Sequence, residues 1–109
     1  MGLICNITFV ISPEKEQEFI AWVRNELLQA LFNDESPARN PALRKLIEAG
    51  GRKIEKESAL SFALHSEFTT EEEARKWQEI FLLPALGEFT SRFGPEAPFF
   101  VTLLLNIPL

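Results

Sequence analysis

The chain has a single cysteine and a single histidine in 109 residues. One thiol, Cys5, excludes an internal disulfide framework and any multi-cysteine metal site, and it fits a reducing compartment. One imidazole, His65, with no second ligand at metal spacing is inadequate for zinc or a transition metal, so no metal or other cofactor is expected. There is no glycine-rich phosphate loop and no serine elbow. Positive charge is also short: 11 basic residues stand against 16 acidic ones, for a net charge of −5. The basic residues are scattered apart from the pairs Arg44/Lys45, Arg52/Lys53 and Arg75/Lys76, and such a surface repels phosphate backbones, so nucleic acid is not an expected partner. Long apolar runs are missing too. "APFFVTLLLNIPL" is interrupted by Thr102 and Asn106 and falls short of the roughly 20 apolar residues a spanning helix needs. "MGLICNITFV" carries no basic residue ahead of its apolar run and no small-residue cleavage site, and "MGLICN" lacks the serine or threonine that N-myristoylation wants. A cytoplasmic protein with no membrane partner is the expectation.

What is present is ordinary globular material, 46% hydrophobic and 25% charged. A chain of this size is expected to form one domain over residues 1–109 around one core.

Residues Leu3 to Ile11 alternate, with Leu3, Cys5, Ile7, Phe9 and Ile11 on a wholly apolar face and Ile4, Asn6, Thr8 and Val10 on a mixed one. A helix follows, with Ser12 as N-cap, Pro13 in the first turn and Glu14, Glu16 and Glu18 near its positive end. Ile20, Val23, Leu27, Ala30 and Leu31 form its apolar stripe. Trp22 falls well around the helix from that stripe, which predicts an exposed ring or one capping the uncovered edge. Asn40, Pro41 and Gly50 carry the local chemistry of a cap, a first position and a stop, which frames a short helix, followed by "GRKIEKE" as a charged edge strand. The competing reading makes "ALRKLIE" the strand and "AGG" its hairpin turn; the helix is the expectation taken forward.

Ser58 to Glu67 alternate again, with Leu60, Phe62 and Leu64 on one face and Ala59, Ser61, Ala63 and His65 on the other. Thr69 with Glu72, or Thr70 with Glu73, then makes a capping box. Ala74, Trp77, Phe81, Ala85 and Phe89 form the second stripe, with a kink or break expected near Leu83 because Pro84 removes a hydrogen bond. Gly94 ends the helix. A last strand over roughly Phe99 to Ile107 puts Phe99, Val101, Leu103, Leu105 and Ile107 on one side.

The order strand, helix, strand, strand, helix, strand is the ferredoxin-like βαββαβ plan, an α+β fold with a four-stranded antiparallel sheet and two helices on one face. The first and third strands should lie adjacent in its centre. Parity then assigns Asn6, Thr8, Ser61, Ala63, His65, Phe100, Thr102 and Asn106 to the uncovered face, together with Ile4, Val10 and Leu104. That surface is too apolar for water and too polar for a dry core, and two copies packing sheet on sheet about a two-fold axis would cover it. His65 reads either as a general base or ligand group in a pocket, or as a hydrogen-bonded interface residue beside Asn6 or Thr8. No acid or nucleophile is tied to it by motif, so the interface reading is preferred and no catalytic residue is assigned. Cys5 has core parity and no basic neighbour, the mark of an inert buried thiol.

"ICNITF", "FIAW" and above all "RFGPEAPFFVTLLLNI" resemble domain-of-unknown-function family four-two-eight-six. Its members typically start with a strand containing Asn and Thr, as Asn6 and Thr8 do here. They end in Arg-Phe-Gly and a strand with Phe-x-Thr-Leu-Leu, matched by Arg92, Phe93, Gly94, Phe100, Thr102, Leu103 and Leu104. The resemblance covers the chain except Asp34 to Ser58, which is longer than usual. Leu105 stands where an acidic residue often follows, and Cys5 where an aromatic is common. The resemblance implies a ferredoxin-like fold of the dimeric α/β-barrel kind and brings no known activity. Two function classes remain: a homodimeric small-ligand binding or regulatory module, or an enzyme similar to the cofactor-free monooxygenases and haem-degrading proteins of that group. The second is matched by Asn6 alone, because the haem-degrading members carry their histidine on the second helix.

Overall fold

β1 (Leu3–Ile11) alternates strictly between buried and half-buried residues, and β5 (Leu60–Phe68) does the same along most of its length. This is the period-two pattern of strands with one face in a core. The structure, a computed structural model, describes residues 2–53 and 59–109. β1 and β5 pair antiparallel in the middle of a four-stranded sheet, with β2 (Arg39–Lys45) outside β5 and β6 (Phe99–Leu105) outside β1. Two helices, α1 (residues 16–31) and α2 (residues 71–93), pack on the Leu3/Cys5/Ile7/Phe9 face. The ferredoxin-like plan and the central placing of the first and third main strands are as the pattern required.

The segment between α1 and β5 departs from the expected short helix. Residues 39–45 are strand β2, and β3 (Glu48–Ala49) and β4 (Arg52–Lys53) make a small separate hairpin. Asn40 is no cap: its φ of 53° sits at a bulge between Arg39 and Ala42, where the chain shifts register against β5. Pro41 is tolerated there because an edge strand at a bulge can spare an N–H. Gly50 does not stop a helix but turns the hairpin with Gly51, at φ values of 59° and 79° that glycine adopts without a Cβ penalty. Of "GRKIEKE", Arg52–Lys53 is β4, and residues 54–58 lie outside the described ones.

Both helices widen by one turn of π geometry at mid-length, at Val23–Leu27 in α1 and Gln78–Leu82 in α2. A π turn inserts an extra residue and rotates everything after it. In α1 this keeps Leu27 and Leu31 on the buried side with Phe19, Trp22 and Val23 and turns Ala30 to solvent, while Ile20 is half-buried. Trp22 is core, 3% exposed, and not on the surface as the stripe begun at Ile20 predicts, because Phe19, Trp22 and Val23 share a face at i, i+3 and i+4 ahead of the widened turn. In α2 the helix does not break at Pro84. The widened turn ends just before it, so the missing N–H is accommodated without a stop, and Leu82, Leu86 and Phe93 join the core while Phe81 is only partly covered.

Capping is uneven. Ser12 makes no side-chain cap, and its carbonyl instead accepts from Lys15 N–H at 3.0 Å in a leading 3₁₀ turn, Pro13–Lys15. Thr70 does cap α2, accepting from Glu73 N–H at 3.1 Å, while Glu73 Oε1 accepts from Thr69 N–H at 3.0 Å. Gly94 closes α2 with φ 98°. The core is aromatic where the helices cross the sheet: Phe9 lies 4.8 Å from Phe89 and 5.4 Å from Phe19 between ring centroids, and Phe89 lies 5.2 Å from Phe93. Each such pair contributes about 0.5–1.5 kcal/mol beyond its buried area. Trp77 N–H donates to Leu31 carbonyl at 3.0 Å, which ties α2 to the end of α1. No described helix is long and apolar enough to cross a membrane.

Candidate functional site

The side of the sheet away from the helices is built by strand register. Asn6 stands between His65 of β5 and Thr102 of β6, and Ala42 of β2 lies beyond His65. Directly opposed side chains on one face sit about 4.5–5.5 Å apart at Cβ, so these four form one row across the sheet. The next row is Arg44, Ala63, Thr8 and Phe100, and Val10 faces Ser61 one step further. Asn6 Nδ2 donates to Thr8 Oγ1 at 3.1 Å, which links the two rows. Asn6 Oδ1 is buried and has no hydrogen-bond partner among the described residues. A buried amide oxygen without a partner costs free energy, about 1–3 kcal/mol, until something donates to it.

Seven of the eight residues that parity selected thus meet on one surface. Asn106 lies past the end of β6, where its N–H bonds the carbonyl of Gly2 at 3.0 Å, and it is remote from His65. Sequence reasoning missed Ala42 and Arg44, because their strand was taken for a helix; the alternation in "ALRKLIE" was the signal that carried them. Ser61 and Ala63, being small, leave a hollow of about 250 Å³ whose walls include Thr8, Arg44 and Leu46. Lys45 beside it is held by Glu16 at 2.6 Å, whereas Arg44 has no ion-pair partner among the described residues.

The surface around this row is apolar. Phe100 is 58% exposed, and Leu104, on the same face of β6 beyond Thr102, is nearly half exposed. β6 is poorly covered on its other side as well, since the helices leave Phe99, Val101 and Leu105 exposed and only Leu103 partly buried. No group of three His, Cys, Asp or Glu among the described residues is placed to hold a metal ion. Cys5 lies on the opposite, core side, where burial pushes its thiol pKa up and a bond from Gln78 Nε2 at 3.7 Å opposes that more weakly.

The model of the family described as Domain of unknown function (DUF4286) matches residues 2–107. The chain belongs to this family. No curated protein matches it in sequence. Among solved structures it is similar to a protein of the ethyl tert-butyl ether d (EthD) family from Bacillus halodurans, with a TM-score of 0.68 and 11% identity over 96% of this chain and 99% of that one. A monooxygenase from the gene ActVA-Orf6 of Streptomyces coelicolor, in complex with the ligand nanaomycin D, gives a TM-score of 0.65 at 11% identity over 99% and 89% of the two chains. A putative antibiotic biosynthesis monooxygenase from Bordetella bronchiseptica gives 0.64 at 16% over 99% and 100%. At these identities the likeness carries the ferredoxin-like fold of the DUF4286 chain and nothing of its chemistry.

Proposed function

We propose that this DUF4286 protein is a homodimeric small-ligand binding or regulatory module whose uncovered sheet faces pack on one another about a two-fold axis. The observation that carries the reading is the row Ala42, His65, Asn6 and Thr102, with an unpartnered buried oxygen at Asn6 inside an apolar exposed surface. A second copy supplies what that surface lacks, apolar cover for Phe100 and Leu104. The hollow beside Ser61 and Ala63 then becomes enclosed, and Arg44 gives it one positive wall. It suits a small, mainly apolar molecule with an anionic end.

An enzyme of the cofactor-free monooxygenase kind is the second reading, supported by the monooxygenases among proteins of similar fold. It gives Asn6 and His65 a substrate to touch. A haem-degrading site is less well supported, because α2 carries no histidine.

Native mass spectrometry on the protein purified from its own host tests the proposal, since one spectrum reports subunit count and retained small molecules. A dimer carrying added mass supports the pocket, and a bare dimer places the row in the interface alone. A monomer at micromolar concentration refutes the sheet-on-sheet arrangement. His65→Ala separates the two readings. Weakened association marks an interface residue, whereas an intact dimer that no longer turns over a quinol marks a catalytic one.

A further inference from the structure

A second cavity lies on the helix side of the sheet, between α1 and the edge strand β2, and measures about 410 Å³. That volume is within the range of ligand pockets in general. Its walls follow from strand parity and helical spacing. β2 turns Leu43 and Lys45 toward the helices, because they pair with Leu64 and Phe62 of β5, whose side chains are core. α1 brings Glu16, Ile20, Arg24 and Leu28 to the same cleft at steps of four. One end is tied shut: Lys45 Nζ lies 2.6 Å from Glu16 Oε2 and 6.0 Å from the centroid of the Phe62 ring. Beyond that tie the space is open. Phe62 and Leu64, almost fully buried, form its floor, and the half-buried Ile20, Leu28 and Leu43 form its sides.

The charged groups of the cleft are unequal. Glu16 and Lys45 satisfy one another, so an incoming molecule meets their pair as nearly neutral. Arg24 is exposed at the mouth and has no ion-pair partner among the described residues. Two helical turns, about 12 Å of rise, separate it from the Glu16 carboxylate. The cleft is thus positive in a chain whose net charge is −5. A guanidinium presents a planar fork that fits a carboxylate bidentately, and a partly apolar setting strengthens such a bond. One guanidinium balances one negative charge, so a monoanion is matched and a dianion is not. An apolar floor with a single charged group at its mouth is the pattern that orients an amphiphilic ligand.

We infer that the cleft between α1 and β2 is a binding site for an apolar monocarboxylate of the medium-chain acyl kind, its hydrocarbon lying on Phe62 and Leu64 and its carboxylate paired with Arg24. The site lies on the opposite face of β2 and β5 from the hollow beside Ser61 and does not depend on dimerisation.

Octanoate is the probe, with octanol as its partner of the same chain length lacking the charge. The readout is a ¹³C–¹H correlation spectrum of methyl groups. The expected result is a saturable displacement of the Ile20 and Leu43 signals by octanoate, with that of Ile80, exposed on α2, nearly still. Octanol should bind roughly tenfold more weakly, the equivalent of one charge-assisted hydrogen bond. Arg24→Gln, at an exposed helical position, should lower octanoate to the affinity of octanol and leave octanol unchanged. Leu43→Trp should fill the cleft and abolish the Ile20 displacement by both probes. Ser61→Arg, which fills the hollow on the other face, should leave octanoate binding intact even if the protein is then monomeric, and this separates the site from the sheet-face proposal. No displacement up to the solubility limit overturns the inference. So does equal affinity for the two probes, a preference for octanoate that survives Arg24→Gln, or binding that Ser61→Arg abolishes.

Discussion

Replacing Phe100 by arginine tests the sheet-face dimer most directly, because the side chain lies outside the core of the single chain and inside the surface a partner would cover. At 58% exposed, and about 200 Å² for a free phenylalanine ring and stem, each copy leaves about 115 Å² to be buried by association. A two-fold axis doubles this to about 230 Å², which at about 25 cal/mol per Å² is about 6 kcal/mol of apolar transfer per dimer. Area bookkeeping is an upper bound, and the arginine stem recovers some cover, so about half of that is a fair expectation. A loss of about 3 kcal/mol raises the dissociation constant by about a hundredfold. Sedimentation velocity over a dilution series measures the constant. Urea denaturation adds a second view, because a dimer-linked midpoint rises with protein concentration and a monomer's does not. Phe100→Arg should abolish that dependence while the midpoint at high dilution stays unchanged. A variant that assembles with the wild-type constant would refute the reasoning.

Thr70→Ala removes the acceptor for Glu73 N–H and should cost about 1 kcal/mol in chemical denaturation, where a loss below a few tenths would mean the cap is not made in solution. Trp77→Phe deletes one of two donors to the Leu31 carbonyl, which keeps its bond from Ser36 Oγ at 2.6 Å, so the lost hydrogen bond should cost about 0.5–1.5 kcal/mol, whereas a neutral result would show that the tie between the helices contributes nothing. Cys5 gives a pH dependence of known sign. Its folded thiol holds its proton above the usual value of about 8.5, so the contribution is fully present below that pH and is lost as pH rises toward the folded pKa. Wild type should therefore lose more stability than Cys5→Ala between pH 8 and pH 10, and the chain has no tyrosine to titrate across the same interval. Equal slopes would contradict the burial.

Strand parity read the sheet well because period two has no slack: one misplaced residue inverts every side chain, and Asn6, Thr8, Ser61, Ala63, His65, Phe100 and Thr102 all fall where alternation puts them. The helices were less legible. A uniform helical period assumes 3.6 residues per turn, and a single π turn at Val23–Leu27 was enough to turn Ala30 out of the core, whereas Trp22 was misplaced because the stripe was begun at Ile20 and not at Phe19, with which Trp22 and Val23 share a face at ordinary helical spacing. No residue in α1 announces that turn, whereas in α2 Pro84 marks the place but not the remedy. The edge strand was misread because Asn40 and Pro41 have two uses. The same pair that caps and opens a helix also suits a left-handed residue and a missing N–H at a bulge, and only pairing with β5 decides between them. That error also hid Arg44, which brings the one unpaired positive charge to the candidate pocket among the described residues.

The two borders of the sheet are unlike. β2 is interrupted by its bulge, by Asn40 at φ 53° and by a proline that can donate nothing, so a foreign strand finds no continuous ladder there. β6 has no such guard and is apolar along almost its whole length. Fibre growth by strand addition needs a receptive border on each side of every subunit, and among the described residues the four-stranded sheet offers one. Whatever else β6 joins, edge-to-edge pairing through it closes at two copies, because the pair presents only guarded β2 borders to the outside. An exposed hydrophobic strand that looks like an invitation to polymerise is thereby limited to a finite assembly. The most irregular stretch of the chain, residues 39–42, is what sets that limit.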